Sequence, residues 1–216
     1  MIKEVHLDHK GGNYLYRIHE KKTKTLVNGF SGLTKYLDKV FNECPDEYFN
    51  DGPRSSTFKY KIHTPIKEVV GHEVCTLAKM GLEHNKGRYK QNHPKVQMFM
   101  IEYDDKTIAI EVPLWIHQKE LEEDNQNKKP ITGHIDLLRI EDGKIWIWDY
   151  KPNAQREKFA AAQVYLYARM LSERTKIPLK EFRCGYFDHL FAYLFEPEEV
   201  LLPKDRQLKE FLYKDL

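Results

Sequence analysis

Residues 131–151, ITGHIDLLRIEDGKIWIWDYK, decide the fold. Two apolar runs, ITGHIDLLRI and KIWIWDYK, flank Glu141-Asp142-Gly143, a triplet that predicts a tight turn and a hairpin. The runs are largely apolar on both faces, so helices are expected on both sides of the sheet they belong to. Three charges interrupt them: Asp136 between Ile135 and Leu137, then Asp149 and Lys151 at the end of the second run. Side chains two apart on a strand share a face, so Asp149 and Lys151 are delivered side by side. Only 12 residues separate Asp136 from Asp149, and pairing of the two strands would let their carboxylates converge. Two carboxylates about 4 Å apart repel by roughly 4 kcal/mol at an effective dielectric of about 20, which a proton or cation between them relieves. Hard oxygen donors with room for water suit Mg²⁺ or Mn²⁺ better than Zn²⁺. An internal Asp149–Lys151 salt bridge at a strand end is the plainer alternative.

Upstream, VQMFMIEY (96–103) turns at Asp104-Asp105 into TIAIEVPLWI (107–116), which reads as a second hairpin. The polar stretch 117–130 reads as a loop. Pro65 opens a helix to about Leu82, with Ile66, Val69, Val70, Val74, Leu77 and Ala78 toward its apolar side. Further back, residues 44–57 are rich in turn formers, Ser31 caps a helix over 31–41, and residues 5–20 alternate around Gly11-Gly12 as a hairpin. Downstream come a long helix over 154–175, two short strands (FRCGYFD and LFAYLFEP) near the sheet's far edge, and an amphipathic helix from Lys204 to Tyr213. The expected architecture is α/β: a central mixed sheet flanked by helices, with residues 1–64 as a hairpin, helix and loop packed on a core of 65–216. The length suits one compact domain overall.

The long helix carries one further irregularity. Gln163 and Tyr167 are four apart, hence on one face, amid apolar residues. A Gln there either bonds to the sheet as a satisfied core residue or points, with Tyr167, at the carboxylate pair.

GHID (133–136), DYK (149–151) and QVYLY (163–167) together resemble the G-x-x-D, (D/E)-x-K and Q-x-x-x-Y motifs of the PD-(D/E)XK nuclease superfamily. The likeness is to its RecB-like branch, which includes CRISPR-associated RecB-like nucleases, phage exonucleases and the mitochondrial genome maintenance exonuclease. It spans residues 66–196, with His72-Glu73 resembling the helix His-Glu pair of that branch. The resemblance implies a restriction-endonuclease-like core. It implies His72, Asp136, Asp149 and the Tyr150 carbonyl as ligands of Mg²⁺ or Mn²⁺, and Lys151 as the residue that positions or activates water and stabilises charge on the phosphate. Gln163 and Tyr167 would orient the site, with Glu111 a second-tier candidate. A helical wheel puts Glu73 nearer the apolar stripe than His72, so either could be the helix ligand. Many relatives hold an iron–sulfur cluster on four cysteines; with Cys44 early and only Cys184 late, no cluster is expected. His134, two positions before Asp136, reads as a hydrogen-bonding neighbour. The activity implied is a metal-dependent deoxyribonuclease, an exonuclease on single-stranded DNA or DNA ends, in repair, recombination or CRISPR-type processing. The alternative is a catalytically inactive nucleic-acid-binding or assembly subunit of the same fold.

Composition is consistent with this. The 216 residues are 41% hydrophobic and 31% charged, a globular balance, and no run reaches the roughly 18 apolar residues of a spanning helix. The N-terminal stretch has no apolar signal core, so a cytoplasmic location is expected. Three dispersed cysteines argue against a disulfide framework and against a four-cysteine metal site. The net charge of +2 hides an asymmetry: residues 1–100 carry 17 basic and 11 acidic side chains, the remainder 18 and 22. The basic excess peaks at Lys86, Arg88 and Lys90, a candidate phosphate-contacting loop whose plain alternative is a solvated helix end.

Overall fold

The computed structural model describes residues 1–10, 12–117, 120 and 129–201. In chain order the elements are β1 (Ile2–His9), β2 (Gly12–His19), α1 (Glu20–Leu26), α2 (Ser31–Asn42), α3 (Asp46–Asp51), β3 (Lys67–Val70), α4 (Glu73–His84), α5 (Asn92–Tyr103) and β4 (Thr107–Ile116). There follow β5 (Ile131–Glu141), β6 (Lys144–Tyr150), α6 (Ala160–Thr175), β7 (Phe182–Phe187) and β8 (Phe191–Phe195). The strands form one mixed sheet in the order β1-β2-β4-β5-β6-β7-β8-β3, in which only β6 and β7 pair in parallel. This is the α/β architecture expected from the sequence.

The β5–β6 hairpin sits at the centre. Asp142 and Gly143 both adopt positive φ (50° and 68°), the backbone of a two-residue turn matched to strand twist, and Glu141 pairs with Lys144 beside it. Helices cover both faces. Leu138, Ile140, Ile145 and Ile147 pack with α2 and α6, whereas Leu137 and Trp148 pack with α4 and α5. Residues before 65 supply β1 and β2, which extend the sheet from β4, and Lys22 of α1 donates to the last carbonyls of α5 at Ile101 (2.7 Å) and Asp104 (2.6 Å). No helix among the described residues is long and apolar enough to cross a membrane.

Several sequence expectations need correction. The long helix expected from 154 begins only at Ala160, after a 3₁₀ turn at Ala154–Arg156, and Phe30, not Ser31, occupies the cap of α2. Residues 96–103 belong to α5, not to a strand, because every residue from Val96 to Ile101 is buried. A helix enclosed by α4 on one side and the sheet on the other has no polar face, so the 3.6-residue period that betrays a surface helix is lost. The helix expected from Pro65 begins only at Glu73. Its first part, Lys67–Val70, is an edge strand against β8, and Gly71 (φ 67°) turns the chain into α4. Within the expected loop 44–57, Asp46–Asp51 form the short α3 and Ser55–Thr57 a single 3₁₀ turn. Both strands expected at the far edge exist, but β3 lies outside them. The helix expected over Lys204–Tyr213 lies outside the described residues, as does most of the loop 117–130.

Arg139 of β5 is fully buried. Its guanidinium meets Asp104 (2.9 and 3.2 Å), Glu73 (2.8 Å) and Glu141 (3.2 Å), tying α4, the end of α5 and β5 together. Arg139→Leu strands the equally buried Asp104 carboxylate without its cation, which is expected to cost about 3–5 kcal/mol of stability. The check is the urea midpoint of unfolding.

Candidate active site

The carboxylates of Asp136 and Asp149 line one cavity of about 420 Å³, together with Glu111, Lys151, Gln163, Tyr167 and His93. Two distortions of the regular sheet put them there. Glu111, which faces Asp136 across the β4–β5 pair, has φ 53°. On one side of this kink Ile110 and Leu137 join the α4–α5 cluster. Two residues further along the same strands, Val112 and Ile135 join the α2–α6 cluster. The reversal of the usual alternation turns Glu111 and Asp136 into the cavity. The second distortion is the end of β6, where the Tyr150 amide donates to Asp136 Oδ2 (2.9 Å) and so binds the carboxylate to the neighbouring strand.

A chain of contacts runs on from there. Lys151 Nζ lies 2.6 Å from Asp149 Oδ2, and apart from this ion pair that buried oxygen has no hydrogen-bond partner among the described residues. Lys151 also donates to Gln163 Oε1 (3.1 Å), whose amide donates to the Tyr167 hydroxyl (2.7 Å). Thus Gln163 does reach the carboxylates, through Lys151. Gly133 is what lets Tyr167 sit against β5, since a Cβ there would overlap the tyrosine ring.

Electrostatics mark this cluster as one whose carboxyls are only partly offset by its cations. Burial, then repulsion from Asp136, pushes the Asp149 carboxyl up to about 7, against the pull of Lys151. Burial raises Asp136 as well, against Lys151 and the Tyr150 amide. Glu111 is raised by burial and by Asp136, opposed by a hydrogen bond from Gln97 Nε2 (2.6 Å). Burial alone would lower the Lys151 pKa, but Asp149 and Asp136 outweigh it and hold the ammonium charged. Three carboxyls that resist ionising together, only one of them ion-paired to Lys151, fit a hard divalent cation with water filling its remaining positions.

His72 is not brought to this cavity. It caps α4, accepting from the Val74 amide, and its ring lies against Trp148 at 5.4 Å. Trp148 and Asp149 are neighbours on a strand and project to opposite faces, so His72 is across the sheet from the carboxylates. Glu73 is likewise engaged elsewhere, with Arg139 and Lys106 (2.8 Å each). The histidine that does approach is His93, in the first turn of α5, with Nε2 3.7 Å from Asp136 Oδ2 and its ring edge-on to Tyr150. Gln97, four residues on and hence on the same helical face, reaches Glu111. Sequence reasoning missed both because it read the neighbouring residues as a strand; a helical reading places positions 93 and 97 together. It also missed Arg54, a cation on the cavity wall that donates to the Tyr14 hydroxyl. In the turn between α4 and α5, Lys86 and Lys90 are exposed, and Lys90 adjoins Gln91 on the cavity lining. Arg88 is instead paired with Glu102 (2.9 Å).

Neither a curated protein nor a solved structure matches the chain at a significant level. A sequence model of the PD-(D/E)XK nuclease superfamily does, over residues 15–212, from β2 to beyond the last described strand. A match of that extent, on a chain whose Asp136, Asp149 and Lys151 meet in one cavity, leads to one conclusion: the protein belongs to the PD-(D/E)XK nuclease superfamily.

Proposed function

We propose that the chain is a Mg²⁺- or Mn²⁺-dependent deoxyribonuclease acting on single-stranded DNA or DNA ends. The observation that carries this reading is the convergence of the buried Asp149 with the part-buried Asp136 and Glu111 on one cavity in which, among the described residues, Lys151 is the one ammonium. Asp136 and Asp149 would hold the metal, with Glu111, the Tyr150 carbonyl and His93 as further donors. A bound divalent ion supplies Lewis-acid stabilisation of phosphate charge and a water of lowered pKa. Lys151, kept protonated by its two carboxylate neighbours, is a poor base; its part is to donate to a phosphate oxygen as negative charge grows. Gln163 and Tyr167 hold that ammonium in line. Lys86 and Lys90 would draw the phosphate backbone toward the cavity, with Arg54 on the wall. The preference for single strands rests on the modest basic surface of the chain, which suits a narrow strand better than a wrapped duplex.

Labelled single-stranded DNA, duplex DNA and RNA, each incubated with Mg²⁺, Mn²⁺ or EDTA, test the activity. Metal-dependent cleavage of DNA is expected, lowered about 10²- to 10³-fold in Lys151→Ala. Absence of metal-dependent cleavage, or undiminished cleavage by the variant, contradicts the reading, and preferential loss of RNA reassigns the substrate.

The raised carboxyl of Asp149 adds a pH signature. Its folded pKa of about 7 lies above the ordinary aspartate value, so its contribution to metal-free stability is fully present below about pH 4 and is lost as pH rises to about 7. A bound cation replaces those protons. The Mn²⁺-induced rise in Tm is therefore expected to be small at pH 5, large at pH 8, and much reduced at both in Asp149→Asn, as followed by thermal denaturation.

A further inference from the structure

A second group of donor side chains converges away from the carboxylate cluster. His9 ends β1, while Cys44 and Asp46 flank Pro45 where α3 begins, and their ligand atoms all lie within 4.8 Å of one another. Among the described residues no other three His, Cys, Asp or Glu side chains converge so closely. One nitrogen serves both partners: His9 Nε2 is 2.9 Å from Asp46 Oδ1 and 3.8 Å from Cys44 Sγ. The ring is fixed by its other surroundings. Its Nδ1 lies 2.8 Å from His134 Nε2, and Phe49 stacks on it at 4.0 Å with the planes 8° apart. The imidazole is 2% exposed, yet its Nε2 is aimed at a thiol and a carboxylate that both lie nearer the surface.

We propose that His9, Cys44 and Asp46 form a Zn²⁺ site, with water as the fourth ligand. Zn–S and Zn–N bonds of about 2.3 and 2.0 Å at a tetrahedral angle set sulfur and nitrogen roughly 3.5 Å apart, close to the separation found here. A sulfur, nitrogen and oxygen donor set selects a borderline ion such as zinc over Mg²⁺ or Mn²⁺, which the all-oxygen cluster favours. The hydrogen bond from the far side of the His9 ring is the outer contact that zinc-bound histidines ordinarily have. Proton bookkeeping closes: Cys44 releases its thiol proton to solvent, each imidazole keeps one proton, and His9 donates its own from Nδ1 to His134 Nε2. The thiolate and the Asp46 carboxylate then balance the ion's two charges. Because His134 precedes Asp136 by two residues on β5, the site joins β1 and the start of α3 to the strand that carries the carboxylate cluster.

Cobalt reports on this site without any assay of cleavage. The full-length protein, stripped with EDTA and titrated with Co²⁺, is expected to develop one equivalent of thiolate-to-cobalt charge-transfer absorption in the near ultraviolet, displaced by Zn²⁺ and not by Mg²⁺. The band is expected to persist in an Asp136→Asn/Asp149→Asn protein, to vanish in Cys44→Ser, and to need at least tenfold more Co²⁺ in Asp46→Asn. Asp46 has a side chain 54% exposed, so its variant tests the ligand set without disturbing the core should Cys44→Ser fail to fold. No band in the wild type, a band that survives Cys44→Ser, unchanged affinity in Asp46→Asn, or loss of the band in the carboxylate variant each overturns the proposal.

Discussion

Asp149 is 2% exposed, and the site depends on what that burial demands. A carboxylate so placed needs a counter-charge, and the structure offers it Lys151 at 2.6 Å while surrounding both with Asp136 and Glu111. Lys151, even with the Arg54 guanidinium on the cavity wall, does not neutralise three carboxyls. The surplus is why burial and mutual repulsion drive the carboxyl pKa values upward, and why a divalent cation has a place to go. The same surplus keeps Lys151 charged, which suits the donor role proposed for it.

The rest of the fold can be understood as holding that arrangement. The two-residue turn at Asp142-Gly143 fixes the β5–β6 register, so Asp136 and Asp149 end on adjacent strands. The kink at Glu111 turns two acidic side chains inward at once. From one face α6 supplies the Gln163–Tyr167 support, and from the far side α5 supplies His93 and Gln97. The Arg139 cluster secures α4 and the end of α5 to β5, so the helix carrying His93 is tied to the strand carrying Asp136.

The central hairpin, its charge interruptions and the helix behind it were legible because each is a local pattern. Continuous apolar runs, a turn triplet and an Asp-x-Lys spacing need no knowledge of distant residues. What failed was long range. A helix buried all round, such as α5, has no amphipathic signature, and misreading it concealed His93 and Gln97. His72 was attractive as a helix histidine, yet α4 and α5 cover the same face, and it is the first turn of α5 that reaches Asp136 while His72 lies against Trp148, a matter of topology and not of spacing. The His9–Cys44–Asp46 group joins positions 35 residues apart, and no motif spacing announces it.

Under the proposed function the Asp136 and Asp149 carboxylates converge to hold a divalent cation. The most direct test is a crystal structure of the protein soaked in Mn²⁺, with anomalous scattering recorded at the manganese edge. A peak bounded by the Asp136 and Asp149 carboxylates is the result predicted. Anomalous density absent from that cavity, with both carboxylates still held by Lys151, the Tyr150 amide and His93, would contradict it.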